Sequence, residues 1–253
     1  MKAILLNNGN KYPSLPLAHS VHLKEDYDNI KTLLSALEYE KYRWYLIGDF
    51  KIVAILMGLQ GGYTKFPCHL CLWDSRDDNS HYQKREWPER TEFPLGKNNV
   101  KWTPLVEPDK VLMPPLHIKL GLMKQFVKGL EKSSAAFTYL KNIFQHLSDA
   151  KIKAGIFVGP QIKRVLASED FPQLLSEKER AAWFSFRDVV QGFLGNNKVE
   201  NYVDLVRNLV QNYGLMGCRM SLKVHILDSH LNKFKENMGH TPKNKERDST
   251  RTF

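Results

Sequence analysis

LIGDFKIVAILMGLQGGYTKFPCHLCLWDSR, residues 46–76, opens on a short aliphatic run and closes just beyond a pair of cysteines. Trp44-Tyr45-Leu46-Ile47 stops at Gly48-Asp49, and Ile52 to Leu59 stays apolar until Gly61-Gly62. Short apolar runs punctuated in this way predict a strand, a carboxylate and then a buried helix. A carboxylate at a strand end is where α/β proteins place metal ligands, and it is also an ordinary helix cap. Metal-assisted phosphoryl chemistry needs several acidic oxygens around its cations. The segment before Asp49 supplies none at an obvious strand position.

The same stretch carries Cys68-x-x-Cys71. Two thiolates at this spacing can face one zinc ion, which then requires two more nitrogen or sulfur ligands. His81 and His117 are the nearest suitable donors downstream, and His69, between the cysteines, is expected to point away. The second half of a finger, H-x3–5-H, reads as absent, so two buried thiols with unrelated histidines remain the alternative. His225 and His230 lie five residues apart in a predicted helix, a rotation of about 140°. They are therefore read as separate core or surface residues. With Cys218 alone, three cysteines form no disulfide framework and suit a reducing, intracellular compartment.

Outward from this stretch, Ala3 to Leu6, a turn at Asn8-Gly9-Asn10, Leu15 to Ala18 and Val21 to Leu23 predict a hairpin. Tyr27, Ile30, Leu34 and Leu37 have helical spacing. Residues 74–110, rich in charge, Asn and Pro, predict a long ordered loop or insertion. Beyond Pro114-Pro115 three apolar stripes predict core helices: Met123, Phe126, Val127 and Leu130; Trp183, Phe186, Val190 and Phe193; and Tyr202 through Tyr213. Ser221 to Phe234 is a further helix candidate.

The 253 residues are 42% hydrophobic and 25% charged, which excludes a disordered, collagenous or coiled-coil chain. No apolar run approaches the roughly 20 residues of a membrane span, and the N-terminal residues do not read as a secretory signal. A formal charge of +10 draws polyanions. Tyr63, Phe66, Trp73, Tyr82, Trp87 and Trp102, interleaved with Lys65, Arg76, Lys84, Arg85 and Arg90, could stack bases and contact phosphates. Packing around a zinc turn accounts for the same pattern.

Taken with LMPPLHIKLGLMKQFVKGL (112–130), DAKIKAGIFVGPQIK (149–163) and MGCRMSLKVHILDSHLNKFKENMG (216–239), residues 46–76 resemble the transposase-like proteins of animal DNA transposons. The resemblance runs over residues 2–239. It implies a nuclear protein with an RNase H-like core of the DDE type and a Cys/His-linked helical insertion. The expected division is a partial core over 1–73, a mostly helical insertion over 74–220, a helix returning to the core over 221–239 and a disordered tail over 240–253. The expected fold is thus α/β, passing to α+β with a mostly helical C-terminal two-thirds, around an RNase H-like core that lacks its first strand.

By the same resemblance Asp49 matches the second catalytic carboxylate, Cys68 and Cys71 the family's C-x-x-C, and His117 the histidine that follows it, with His81 as a further ligand. The family's carboxylates hold divalent metal, usually magnesium, which activates water or a DNA 3′-hydroxyl. The family's first catalytic Asp precedes the segment matched by Lys2 to Asn8. Its third carboxylate follows the match to Asn237-Met238-Gly239, where this sequence reads HTPKNKERDSTRTF and Glu246 is at most a remnant. The expectation is a transposable-element-derived protein without strand-transfer activity of its own. It would keep structural zinc, and DNA affinity through Lys65, Arg76, Lys84 and Arg85. The alternatives are a non-enzymatic interaction module, with a protein partner or second copy at an unpaired sheet edge, and an enzyme completed by further segments. No small-molecule substrate is indicated.

Overall fold

The computed structural model describes residues 4–6, 15–18, 22–112, 115–195 and 198–234. Among the described residues helices dominate, with four short strands, so the fold is helix-rich α+β. Strand β1 (Ile4–Leu6) pairs antiparallel with β2 (Leu15–Ala18), the predicted hairpin, with Leu6 opposite Leu15 and an irregularity next to Ile4. Strand β3 (Leu46–Ile47) pairs in parallel with β4 (Val111–Leu112), which the sequence did not reveal. Among the described residues the two pairs form separate sheets. The expected turn at Asn8-Gly9-Asn10, Glu246 and the 240–253 tail lie outside the described residues.

Helix α1 (Tyr27–Ala36) begins where the Asp26 carboxylate accepts the Asn29 N–H at 3.0 Å, and it buries Ile30 and Leu34 one turn apart. It packs against α2 (Tyr39–Tyr42) and α3 (Phe50–Leu56). Strand β3, Asp49 and α3 reproduce the predicted strand, carboxylate and helix, with Val53, Ile55 and Leu56 buried. Residues 74–107 form the predicted long loop, followed by a single 3-10 turn at Pro108–Lys110.

The helical part comprises α4 (Pro115–Gly129), α5 (Ala135–Ile143), α6 (Asp149–Lys153), α7 (Gly159–Leu166), α8 (Glu177–Gly192), α9 (Tyr202–Leu215), α10 (Leu222–Ser229) and α11 (Leu231–Phe234). Helix α8 starts in a Ser176/Glu179 capping box and packs along α9. Helix α4 lies centrally, touching α6, α7, α8 and α10. Two of the predicted stripes meet where Phe126 lies 5.1 Å from Trp183, and Phe171, outside the stripes, meets Trp183 edge-on at 4.8 Å.

The loop after α3 returns to the core through Gly58. Its carbonyl accepts the N–H groups of Lys101 and Trp102 at 2.8 and 3.0 Å, and its φ of +62° is left-handed. A Cβ there would lie 2.0 Å from the Trp102 carbonyl oxygen. Steric overlap with backbone adds to left-handed strain, so Gly58→Ala is expected to lower stability by about 2–4 kcal/mol. Chemical denaturation should report this as a lower midpoint at unchanged slope.

Candidate metal centre

Cys68 and Cys71 sit on a tight turn fixed by a two-residue bridge, Cys71 opposite Glu89, and by buried Arg90. The Arg90 guanidinium donates to the carbonyls of Cys68 at 2.9 Å, Phe66 at 3.0 Å and Asn98 at 3.1 Å. Its backbone N–H donates to the Leu70 carbonyl at 3.0 Å. One side chain thus satisfies three carbonyls around the turn and places a cation near both sulfurs. The Leu70 N–H points at Cys68 Sγ at 3.4 Å, and the Trp73 N–H donates to Cys71; both favour thiolate.

The other half comes from the far end of the chain. Ser221 caps α10, accepting the Val224 N–H at 3.4 Å, and His225 projects from the body of that helix. His230 is the residue on which α10 ends, with φ −125° and ψ 26°, outside the helical region. This corrects the separation of the two histidines. The rotation argument assumes one helix through both, whereas the helix stops at Ser229 and the chain bends, so both rings face the cysteines.

His225 Nε2 lies 3.2 Å from Cys71 Sγ, and His230 Nε2 lies 3.3 Å from Cys71 Sγ and 3.5 Å from Cys68 Sγ. All four donor atoms fall within 4.8 Å of one another, and three of the four residues are buried. Zinc bonds of about 2.3 Å to sulfur and about 2.05 Å to nitrogen, at tetrahedral angles, separate S from N by about 3.5 Å. The observed distances are close to that edge, so the donor set fits a tetrahedral zinc ion and could hold one. Among the described residues this is the single group of three or more His, Cys, Asp or Glu side chains so arranged.

The surroundings prepare the donors. His225 Nδ1 faces Ser229 Oγ at 3.2 Å; with that nitrogen protonated, Nε2 carries its lone pair toward the sulfurs. Burial holds His225 below its ordinary pKa, which keeps the imidazole neutral as a ligand must be. Burial opposes ionisation of Cys68, but hydrogen bonding from Cys71, His225 and His230 holds its thiol well below the usual range. The Cys71 thiol is pushed up by its hydrogen bond to Cys68 and then by burial. Burial sets the two sulfurs against ionising together, and a bound dication would stabilise both as thiolates. The Trp73 ring stacks on His225 at 4.5 Å.

The remaining site expectations are redistributed. His81 is buried but belongs outside the group: its Nε2 faces the Asp74 carbonyl at 2.9 Å, its Nδ1 faces Asp78 at 3.4 Å, and its ring stacks on Trp73. It lies one ring removed from the donors. His117 lies in the first turn of α4 and is not a member either. His69 is buried with Nε2 unpartnered, and burial lowers its pKa to about 4. Asp49 accepts the N–H groups of Lys51 and Ile52, both at 3.0 Å, as the cap of α3, and it belongs to no metal-sized group among the described residues. Of the expected DNA contacts, Lys65 pairs with Asp74 at 3.3 Å and Arg85 with Asp228 at 3.0 Å. Lys84 lies over the Trp87 ring, and Arg76 is exposed. The ligands that were missed had a signal: His225-x4-His230 has the H-x3–5-H spacing, displaced 154 residues from Cys71.

The site thus defines a helix-rich α+β protein with a buried Cys2His2 group. Residues 1–106 match a family model described as Domain of unknown function (DUF8703), and residues 115–195 match one described as Domain of unknown function (DUF8704). No curated protein and no solved structure matches the chain. Both cysteines fall in the first matched segment and both histidines fall beyond the second.

Metal analysis of protein purified without chelator is expected to give one zinc per chain. Cys71→Ser and His230→Ala should lose it, while His81→Ala and His117→Ala retain it. Structural zinc contributes about 10–16 kcal/mol of apparent binding free energy in small sites, so a strong chelator should abolish the cooperative thermal transition. Arg90→Met should lower stability by about 2–4 kcal/mol, read by denaturant unfolding, because one buried and two part-buried carbonyls lose their donor.

Proposed function

We propose that the protein derives from a DDE-type transposase and serves as a zinc-stabilised, nucleic-acid-binding scaffold in the nucleus, without strand-transfer activity of its own. The observation that carries this reading is the Cys2His2 group. It ties the turn just beyond the β3–Asp49–α3 unit to a helix 154 residues later, as expected if a helical insertion were tethered to the edge of an RNase H-like core. The four sequence stretches that resemble transposases include both halves of that group, and the +10 charge suits a polyanionic partner.

The proposed inactivity rests on the carboxylates. Clamping two cations requires several acidic oxygens in one place. Asp49 is engaged as a helix cap and joins no such cluster among the described residues. Magnesium would matter only if further segments completed the triad. Purified zinc-loaded protein incubated with plasmid DNA and Mg2+ or Mn2+ is expected to leave the DNA intact. Cleavage or strand joining that disappears in Asp49→Ala would overturn this reading.

One observation favours a protein partner as well. Strand β3 is a two-residue strand paired with β4 alone among the described residues, and the alternating side chains Tyr45 and Ile47 are exposed. An open, apolar strand edge invites a further strand from another chain.

A further inference from the structure

A cleft of about 300 Å³ opens where the two strands of the parallel pair begin. One wall is Tyr39, Glu40 and Arg43, ending three residues before β3, and the other is residues 104–108, ending three residues before β4. Helix α2, which carries the first wall, is a single turn closed by left-handed residues on both sides, Glu38 with φ +52° and Arg43 with φ +47°. Arg43 and Glu107 join the walls through an ion pair of 3.1 Å, with both side chains more than half exposed.

Tyr39 is 4% exposed, yet its buried hydroxyl has no hydrogen-bond partner among the described residues. Most buried polar groups in folded proteins are paired, and leaving one unpaired costs free energy. Burial raises the Tyr39 pKa, and the charges of Glu107, Glu40 and Asp109 raise it further against Arg43 alone. Three carboxylates and one cation therefore lie within electrostatic reach of this hydroxyl, in a chain whose formal charge is +10. Arg43 is already taken by Glu107, while Glu40 and Asp109 make no ion pair among the described residues. Arg90, 5.7 Å from the ring of Phe93 in the cleft lining, is committed to the carbonyls around the cysteine turn. The cleft thus repels an anion and attracts a cation.

We infer that the cleft binds a lysine or arginine side chain presented by a partner polypeptide, its charge held by Glu40, Glu107 and the Tyr39 hydroxyl and its stem laid on Phe93, Leu105 and Val106. Long basic side chains combine an apolar stem with a charged head, and aromatic rings add attraction for the cation. The surface around the cleft favours a polypeptide over a free amine. Tyr42, Tyr45 and Ile47, each within four residues of Arg43, are 46–60% exposed, an apolar area that a small amine would leave in water. The inference names the chemistry of the protein partner read from the β3 edge and rests on that reading for the source of the cation.

The test is a titration of full-length protein followed in methyl proton–carbon NMR spectra at Leu105 and Val106. The probes are a blocked pentapeptide of alanine with a central lysine, the same peptide with norleucine in place of the lysine, and putrescine. The lysine peptide should shift both sets of methyl signals to saturation, with an affinity that falls as salt is raised, and the norleucine peptide should bind far more weakly. Glu40→Gln and Glu107→Gln, both at exposed positions, should each weaken the lysine peptide about threefold. Tyr39→Phe should weaken it too without lowering the denaturation midpoint, because it removes a hydroxyl that nothing pairs in the free protein. Equal affinity for the lysine and norleucine peptides overturns the cation site and leaves the open strand edge standing. Affinity unchanged in both glutamine variants places the peptide elsewhere and overturns the site as well. Putrescine binding without either peptide overturns the polypeptide as occupant, and binding of none of the three overturns the cleft.

Discussion

Four donor atoms from segments 154 residues apart meet within 4.8 Å, and most of the architecture is arranged to permit it. Bringing distant segments together costs chain entropy that grows slowly with loop length, and burying two thiols and two imidazoles adds a desolvation cost. Several contacts offset these costs along one seam. Arg219 pairs with Asp78 at 2.8 Å, the Tyr82 hydroxyl donates to the Cys218 carbonyl at 2.8 Å, and Arg85 grips Asp228 through both side chain and backbone. Each joins the loop after the cysteines to the segment carrying the histidines. A domain is stable by only about 5–15 kcal/mol, so a cation in the centre would contribute on the scale of the whole fold.

The parts of this arrangement that depend on local rules were legible. A strand, a carboxylate and a buried helix follow from an apolar run broken at Gly48-Asp49, and helical stripes follow from spacing alone. The cysteine pair is equally visible, but proximity in sequence favours His81 and His117 as its partners. Proximity in space is decided by the return of α10 to the cysteine turn, which no local pattern reports. The H-x4-H spacing was present throughout. A fixed rotation per residue separates the two rings only if one helix runs through both, and the helix ends between them. Strand β4 escaped notice because two residues between prolines carry no periodicity, and its pairing with β3 exists only through the fold.

Charge was legible as a sum and illegible as a distribution. The sequence gives no means of knowing that Lys65 faces Asp74 or that Arg85 faces a buried carboxylate. Nor does it reveal that Gly121 on α4 leaves room for the stem of Lys223 from α10. Both expectations for Asp49 were open from the start. The structure makes its capping role explicit, with two backbone N–H groups on one carboxylate oxygen.

The wide separation of the two halves also bears on how the chain is born. Translation proceeds at about 5–20 residues per second, so Cys68 and Cys71 are polymerised about eight to thirty seconds before His230. Throughout that interval a nascent polypeptide carries the two sulfurs without the two imidazoles that complete their group. Safe maturation then depends on the thiols staying reduced until the last helix arrives, and on the early turn, braced by Arg90, waiting in a shape that helix can close.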